Sequence, residues 1–306
     1  LKSGEEMEKK IKVAVVGYGN VGRAAVEAIK AASDLELAGV VRSAQKEVPS
    51  ELVGVPVVQS LTELDSVDVA VLSLPTRMVG EYAVECLKQG INTVDSFDIH
   101  GEELLNHRDK LAEAARSSGA VAVISAGWDP GTDSMVRALM ELMAPKGLTF
   151  TNFGPGMSLG HSVAAKAIPG VRDALSMTIP TGSGVHRRMV YVELAEGAEQ
   201  DEIAAQIKAD PYFSRDETHV YPVGSVEALK DVGHGVIIER KGTSGQAANQ
   251  LLKWEMRINN PALTAQVMVS AARASVKQQP GAYTLLEIPL LDYFPGHPSE
   301  LIKRLV

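Results

Sequence analysis

Residues 17–22 read G-Y-G-N-V-G, so Gly17, Gly19 and Gly22 fall at the G-x-G-x-x-G spacing directly after the apolar residues Ile11, Val13, Ala14, Val15 and Val16. Three glycines in that context have three separate jobs. The first allows a tight turn, the second lets an anion approach the backbone, and the third lets a helix pack closely on a strand. The free N–H groups and dipole at the start of the following helix then favour a pyrophosphate. The chemistry implied is dinucleotide binding at Gly17, Gly19 and Gly22. About 20 residues beyond such a motif, the end of the next strand ordinarily carries an acid for the ribose 2′-hydroxyl. This chain reads Val41-Arg42-Ser43 there. A carboxylate would repel a 2′-phosphate, whereas a guanidinium grips one at two points, so NADP is the expected cofactor. The plain alternative is a solvated Arg42.

A nicotinamide moves the hydride, so the protein has to orient a substrate carbon against it. Candidates cluster at later strand ends. The stretch LSLPTRMVGE brings Ser73, Leu74, Pro75 and Thr76 to the carboxyl edge of a sheet, where open α/β sheets bind ligands. VDSFDIHG offers Asp95, Asp98 and His100, and SAGWDPGTD offers Trp128 and Asp129. Two acidic loops at one edge suit an ammonium group, although an Asp before Pro also serves plain turns. Further on, TNFGPGMSLGHS is a glycine-rich loop whose amides suit a carboxylate. In HRRMVYV the period of two puts His186 and Arg188 on one face and Arg187 on the other, and both faces continue apolar. His234 lies between glycines, with small neighbours that leave its ring accessible if its role is not structural. The seven histidines lack H-E-x-x-H or paired spacing, so no metal site is expected.

These residues need elements to hold them. Apolar strands are expected at 11–17, at LELAGVV, and at 68–75, 91–97 and 121–127, with helices between most of them, including 78–89 and 102–118. Strands alternating with helices imply a doubly wound parallel sheet of Rossmann type, an α/β fold. After Trp128 comes the helix TDSMVRALMELMA, closed by Pro145 and Gly147, and then mostly strands, with helices expected only at DEIAAQIKAD and around 163–174. From Pro261 the pattern is helical again. The expected division is a dinucleotide-binding domain at 7–127, completed by 261–306, and a second α+β domain for substrate and dimerisation at 128–260.

Composition narrows the classes. With 306 residues, 45% hydrophobic and 22% charged, the chain has the make-up of a globular protein of about two domains. A net charge of -8 argues against nucleic acid as a partner. A single cysteine, Cys86, excludes an internal disulfide and sits at core spacing within a helix. No run approaches the ~20 apolar residues of a membrane span. Residues before Met7 carry no hydrophobic segment, and Met7 is the expected native start, so a cytoplasmic protein without membrane partners is expected.

The segments VAVVGYGNVGR, TVDSFDIH, SAGWDPG, FGPGMSLGHS, AIPGVRDALSMTIP and NNPALTAQ occur in one order from residue 11 to about 290. Together they resemble the meso-diaminopimelate dehydrogenase family of NADP-dependent, D-stereospecific amino-acid dehydrogenases of lysine biosynthesis. The resemblance implies a homodimer whose substrates are meso-diaminopimelate, D-amino acids, 2-oxo acids and ammonia. It implies that Tyr18 to Val21, Arg42, Ser43 and 73–76 line NADP, joined by the loops carrying Ser96, Phe97, Asp98, Ala126, Gly127, Trp128 and Pro130. Asp98 and Asp129 would face the reacting amine. Trp128, Phe153, Met157, Ser158, Leu159 and Gly160 would shape the reacting end, and Thr178, Arg188, His234 and Asn260 would hold the distal end. Leu159 replaces a glutamine associated with stricter members, and Val163 replaces an acid. The segment TGSGV before His186 is also short, a form that resembles a subgroup accepting other D-amino acids. Two rival readings are a related NADP-dependent reductase and a non-catalytic NADP-binding sensor.

Overall fold

The computed structural model describes residues 10–42, 47–182, 184–229 and 233–306. In chain order the first elements are β1 (Ile11–Val16), α1 (Asn20–Ala31), β2 (Leu35–Val41), β3 (Val57–Val58), β4 (Val69–Leu72), α2 (Thr76–Lys88), β5 (Asn92–Asp95), α3 (Glu102–Ser118), β6 (Val121–Val123) and α4 (Thr132–Met143). The middle of the chain forms β7 (Lys146–Ser158), α5 (Leu159–Lys166), β8 (Val171–Gly182), β9 (Val185–Leu194), α6 (Gln200–Ala209), β10 (Glu217–Pro222), β11 (Gly233–Ser244) and β12 (Ala247–Asn259). The chain closes with α7 (Asn260–Ser275), β13 (Gly281–Tyr283) and α8 (Pro298–Leu305). Two units result: residues up to Met135 together with Pro261–Val306, and Val136–Asn260.

The first unit is built on a seven-stranded sheet of order β13-β6-β5-β4-β1-β2-β3 in which every pairing is parallel. This is the doubly wound fold expected from the alternation of strands and helices. Strand side chains alternate between two covered faces, which is why β4, and β1 from Val13 onward, read as unbroken apolar runs. Val13, Val15, Val69 and Val71 pack on one side with Ala25, Val26 and Ile29 of α1 and Met268, Val269 and Ala272 of α7. Ala14, Val16, Ala70 and Leu72 pack on the other with Val79, Ala83 and Cys86 of α2 and Leu111 and Ala115 of α3. Cys86 is a core residue, and burial pushes its thiol up to about 12. The C-terminal stretch, helical by pattern, also contributes β13, which extends the sheet beside β6.

The order reverses between β1 and β4, where successive crossovers leave in opposite directions. At that switch point the loops after the two strands lie side by side, the usual ligand position in such sheets.

An ion pair ties α7 to this sheet. The Arg273 guanidinium engages both carboxylate oxygens of Asp34, just before β2, and donates to the Tyr293 carbonyl at 3.1 Å. The hydrogen bond from Arg273 is the main cause holding the Asp34 carboxyl below its ordinary range. A depressed carboxylate stabilises the fold above its unfolded pKa of about 3.9, and that stabilisation is lost as pH falls through the lower folded value. Asp34→Asn should therefore cost about 1–2 kcal/mol at neutral pH, discounted because Asp34 is partly solvated. Urea midpoints of the two proteins should differ near neutrality and converge in acid; equal midpoints at neutral pH would count against the pair.

The second unit is a six-stranded mixed sheet, order β10-β9-β8-β7-β11-β12, with only the β9–β10 pairing parallel. Helices α5 and α6 pack on it through Ala165, Ile203 and Ile207 against Val190 and Val192, joined by Phe213 from the turn after α6. The helix expected around 163–174 is a correction. Helix α5 stops at Lys166, and β8 has begun by Val171. Pro169 cannot supply a helical N–H, and Gly170, at φ 91°, turns the chain back into the sheet. The apolar residues on either side carried a helical period that this Pro-Gly pair interrupts.

Among the described residues no helix is long and apolar enough to cross a membrane, and no group of three or more His, Cys, Asp or Glu side chains could hold a metal ion.

Candidate active site

The glycine motif occupies the loop from β1 to α1. Gly17 has φ 90°, and a Cβ on it would lie 2.4 Å from the Ser73 carbonyl oxygen, so the two switch-point loops come together only because residue 17 has no side chain. A Cβ on Gly22 would lie 2.2 Å from the Gly17 carbonyl oxygen, whereas one on Gly19 would meet open space. Each glycine thus has its own physical role, and the open one stands at the N-cap of α1. That helix has no side-chain cap and no acid in its first turn. Beside it, the Ser73 N–H donates to Val16 O at 2.8 Å, while the buried Ser73 Oγ has no hydrogen-bond partner among the described residues. An uncapped helix start, an open glycine and an unsatisfied hydroxyl form a cradle that fits a pyrophosphate.

At the end of β2, the Arg42 guanidinium lies 5.7 Å from the Tyr18 ring centroid, and Arg23 lies 5.6 Å from the same ring. Arg42 is steered by a 3.1 Å bond from its Nη1 to the Glu47 carbonyl. Burial, followed by the nearby Glu51 carboxylate, raises the Tyr18 pKa. Two guanidiniums therefore flank one phenol where a 2′-phosphate is expected. Arg23 was not singled out from the sequence, although its place directly after the third glycine was the available signal. Ser43 lies outside the described residues.

The loops after β4, β5 and β6 meet at the same sheet edge. Thr76, the first residue of α2, donates from Oγ1 to Asp98 Oδ1 at 2.5 Å. Asp95, offered by the sequence alongside Asp98, has a different position. It is fully buried, with Oδ1 accepting from the N–H groups of Phe97 and Ser125, both at 3.0 Å, and Oδ2 lying 3.3 Å from His107 Nε2. The His107 ring stacks on Phe97 at 4.1 Å, and Ser125 Oγ donates to Phe97 O at 2.8 Å. Asp95 thus holds the Ser96–Phe97–Asp98 loop from below and is withdrawn from solvent. His100 is exposed.

In the β6–α4 loop, Trp128 is buried, Asp129 is half-buried, and Pro130 is buried behind a cis peptide. Backbone bonds from Thr132 N to Gly127 O, 3.2 Å, and from Asp133 N to Trp128 O, 2.8 Å, fold the loop over the start of α4. Ala126 N donates to Asp95 O at 2.7 Å, which joins this loop to the end of β5.

In the second unit, strand register assembles residues that are far apart in sequence. His234 of β11 pairs with Gly156 of β7, Gly156 with Thr178 of β8, and Thr178 with Arg188 of β9. Residues directly opposite one another in a sheet share a face, so His234, Thr178 and Arg188 form one lateral row. Gly156 leaves the gap that the His234 ring needs, because a Cβ there would lie 2.9 Å from His234 Nδ1. Thr178 and His234 are buried, as is Asn260, which follows the end of β12. Arg188 Nη1 donates to Thr178 Oγ1 at 2.5 Å and its Nε to Asp216 Oδ2 at 2.6 Å. Arg187 occupies the opposite face, 42% exposed, with its Nε 2.9 Å from Glu217 Oε1.

Beside the row, the Phe153 N–H donates to His186 Nε2 at 2.8 Å, and Phe153 lies within ring contact of both His186 and His234. Burial first, then Arg188, lowers the His186 pKa, which suits an acceptor nitrogen. His161, not among the expected site residues, accepts or donates at 2.8 Å with Ser158 Oγ, and burial pushes its pKa down to about 3. Leu159 packs beside Met157, Leu175 and Val226, with Gly160 next to it in α5; the loop expected at TNFGPGMSLGHS is thus corrected to the end of β7 and the start of α5. Val163 is 56% exposed.

Comparisons with known proteins follow this division. The model of the oxidoreductase family with an NAD-binding Rossmann fold matches residues 11–94, and that of the diaminopimelic acid dehydrogenase C-terminal domain matches residues 127–187. A meso-diaminopimelate D-dehydrogenase of Bacteroides fragilis is 60% identical over 97% of this chain and 100% of its own length. That of Corynebacterium glutamicum is 32% identical over 96% of this chain and 98% of its own. Among solved structures, C. glutamicum DAP dehydrogenase in complex with DAP has a TM-score of 0.87 at 30% identity, covering 97% of this chain and 100% of that one. An engineered D-amino acid dehydrogenase bound to NADP+ also scores 0.87, at 28% identity, with the same coverage. On near-full-length identity, and with both parts of its chain matched, this protein belongs to the meso-diaminopimelate D-dehydrogenase family.

Proposed function

We propose that this protein catalyses the reversible, NADP-dependent oxidative deamination of the D-centre of meso-2,6-diaminopimelate, giving L-2-amino-6-oxopimelate and ammonia. The observation that carries this reading is the Arg188–Thr178–His234 row, a buried cationic and polar site suited to a second carboxylate, in a member of this family. When bound, the nicotinamide accepts the hydride from the substrate carbon. The switch-point residues hold the cofactor: Gly17 to Gly22 and Ser73 at the pyrophosphate, Arg42 with Tyr18 and Arg23 at the 2′-phosphate. Leu74, Pro75, Ser96, Phe97, Ala126, Gly127 and Pro130 line its remaining length.

Asp98 and Asp129 receive the substrate ammonium. A carboxylate there is also the acceptor for the proton that must leave nitrogen before the Cα–H can depart as hydride. Loss of hydride leaves an imine, which water converts to the oxo acid and ammonia. Trp128, Phe153 and residues 157–160, where β7 passes into α5, fix the carboxylate of the reacting end. Arg188, Thr178, His234 and Asn260 fix the far end. With amine and carboxylate held, only one face of Cα meets the ring, so geometry selects the D-centre.

Run in reverse, as reductive amination of the oxo acid, the reaction builds the diamino acid, which supports a place in lysine biosynthesis. The reading extends to a homodimer in the cytoplasm, with no nucleic acid or membrane as partner. Exposed Leu148 and Leu251, both beside Lys241 in one row of the second sheet, support a partner surface, and light scattering on the purified protein tests it.

Leu159, packed among apolar side chains, also supports a side reaction. A simple side chain leaves fewer buried polar groups unpaired beside leucine than beside glutamine. The test is absorbance at 340 nm with NADP and meso-diaminopimelate, beside chiral chromatography of products from small 2-oxo acids, ammonia and NADPH. Slow formation of D-amino acids is expected alongside faster diaminopimelate turnover. An L or racemic product would overturn the docking geometry, and no diaminopimelate turnover would overturn the function.

A further inference from the structure

Arg188 is held before any substrate arrives. Of the five N–H groups that a guanidinium carries, Nε is committed to Asp216 Oδ2 at 2.6 Å and one on Nη1 to Thr178 Oγ1 at 2.5 Å. Because the group is planar and rigid, fixing those two points fixes the direction of every other N–H. Asp216 reaches Arg188 across 28 residues of chain, from the turn that leads into β10. That turn is anchored in its own right. Asp216 N–H donates to Phe213 O at 3.0 Å, Thr218 Oγ1 donates to Asp216 O at 3.2 Å, and Phe213 is buried in the core against α6. The side chains of Arg188 and Asp216 are 12% and 23% exposed, so the pair is largely shielded from solvent. The neighbouring rings of His161 and His186 bring no compensating negative charge, and burial keeps both pKa values low.

We propose that Asp216 is a positioning residue: it sets the plane of the Arg188 guanidinium so that the remaining N–H groups meet the distal carboxylate of the substrate. This rests on the reading of Arg188 as the distal anchor. Thr178 alone is a single neutral acceptor and leaves the plane free to rotate about one bond. Asp216 supplies the second point and the opposite charge, so Arg188 need not reorganise when substrate binds. Asp216 acts only through Arg188, and its loss should be felt in affinity for diaminopimelate and nowhere else.

The experiment is a cycle of three variants, Asp216→Asn, Arg188→Met and the double mutant, assayed for KM, kcat and melting temperature. Asp216→Asn should raise KM for meso-diaminopimelate about tenfold, the lower end for one charge-assisted hydrogen bond, while kcat and KM for NADP stay within about twofold. Adding Asp216→Asn to Arg188→Met should change KM by no more than about twofold, because the group it positions is already gone. An unchanged KM in Asp216→Asn, a parallel loss of kcat and NADP affinity, or multiplicative effects in the double mutant would each overturn the proposal. If Arg188→Met itself leaves KM unchanged, the distal-anchor reading fails first, and an effect of Arg188→Met without one of Asp216→Asn refutes the positioning role alone. Should Asp216→Asn fail to fold, Asp216→Glu carries the test. Its longer side chain keeps the charge but displaces the guanidinium, so KM should rise several-fold with melting unchanged, and a wild-type KM in that protein refutes the role.

Discussion

The Arg188→Met protein is expected to oxidise meso-diaminopimelate with kcat/KM reduced at least about a hundredfold, while Arg187→Met changes it by less than about threefold. Methionine keeps length and apolar contact but removes a buried charged donor, a loss on the order of 2–5 kcal/mol when a charged partner is left unpaired. It is the substrate carboxylate that loses its partner, since Arg188 is the group that Asp216 holds towards it. Arg187 has no equivalent burden, since its side chain is on the opposite face, 42% exposed, with Glu217 at 2.9 Å. Exposed pairs of that kind contribute about 0–1 kcal/mol. The loss in Arg188→Met should fall mainly on KM, because the distal end is held equally in ground and transition states. Steady-state kinetics on both variants decide it: equal effects would remove Arg188 from the distal site.

The second large effect concerns the cofactor. Arg42→Ala should weaken NADP by about ten- to a hundredfold, the loss of a charge-assisted phosphate contact of roughly 1.5–3 kcal/mol, and leave NAD nearly unchanged. The upper end is not expected, because Arg23 lies 5.6 Å from the same Tyr18 ring and remains to attract the 2′-phosphate. Removing both arginines should therefore erase the preference that removing one only narrows. Fluorescence titration with NADPH and NADH, without substrate, separates binding from catalysis. Equal weakening of both cofactors would make Arg42 a structural residue, holding the chain at Glu47 through its 3.1 Å bond.

Much of this protein is legible in its residues because the relevant physics is local. The glycine turn is readable since each glycine answers a contact with its immediate surroundings, Gly17 with Ser73 and Gly22 with Gly17. The doubly wound sheet is readable because β4 and β1 from Val13 onward are buried on both faces and so are apolar from Val69 to Leu72 and from Val13 to Val16. Where local rules compete, reading fails: apolar spacing suggested a helix across 163–174, and Pro169 and Gly170 stop it. Asp95 and Asp98 look alike in VDSFDIHG, yet one is buried under the loop and the other bonds Thr76 at its edge.

The substrate row depended on the tertiary structure. A period of two assigns Arg187 and Arg188 to opposite faces but says nothing about which face carries Thr178 and His234. That depends on register across four strands, β9, β8, β7 and β11, whose pairing partners lie tens of residues apart. Asp216 and Arg23 were missed for the same reason. Each matters through a neighbour supplied by another element, Arg188 on β9 and the ring of Tyr18 beside Arg42. Sequence determined the residue types, the cofactor cradle and the fold class, since these follow from neighbours along the chain. Strand register and turn packing decided which side chains share a face, because those contacts exist only once distant segments have paired.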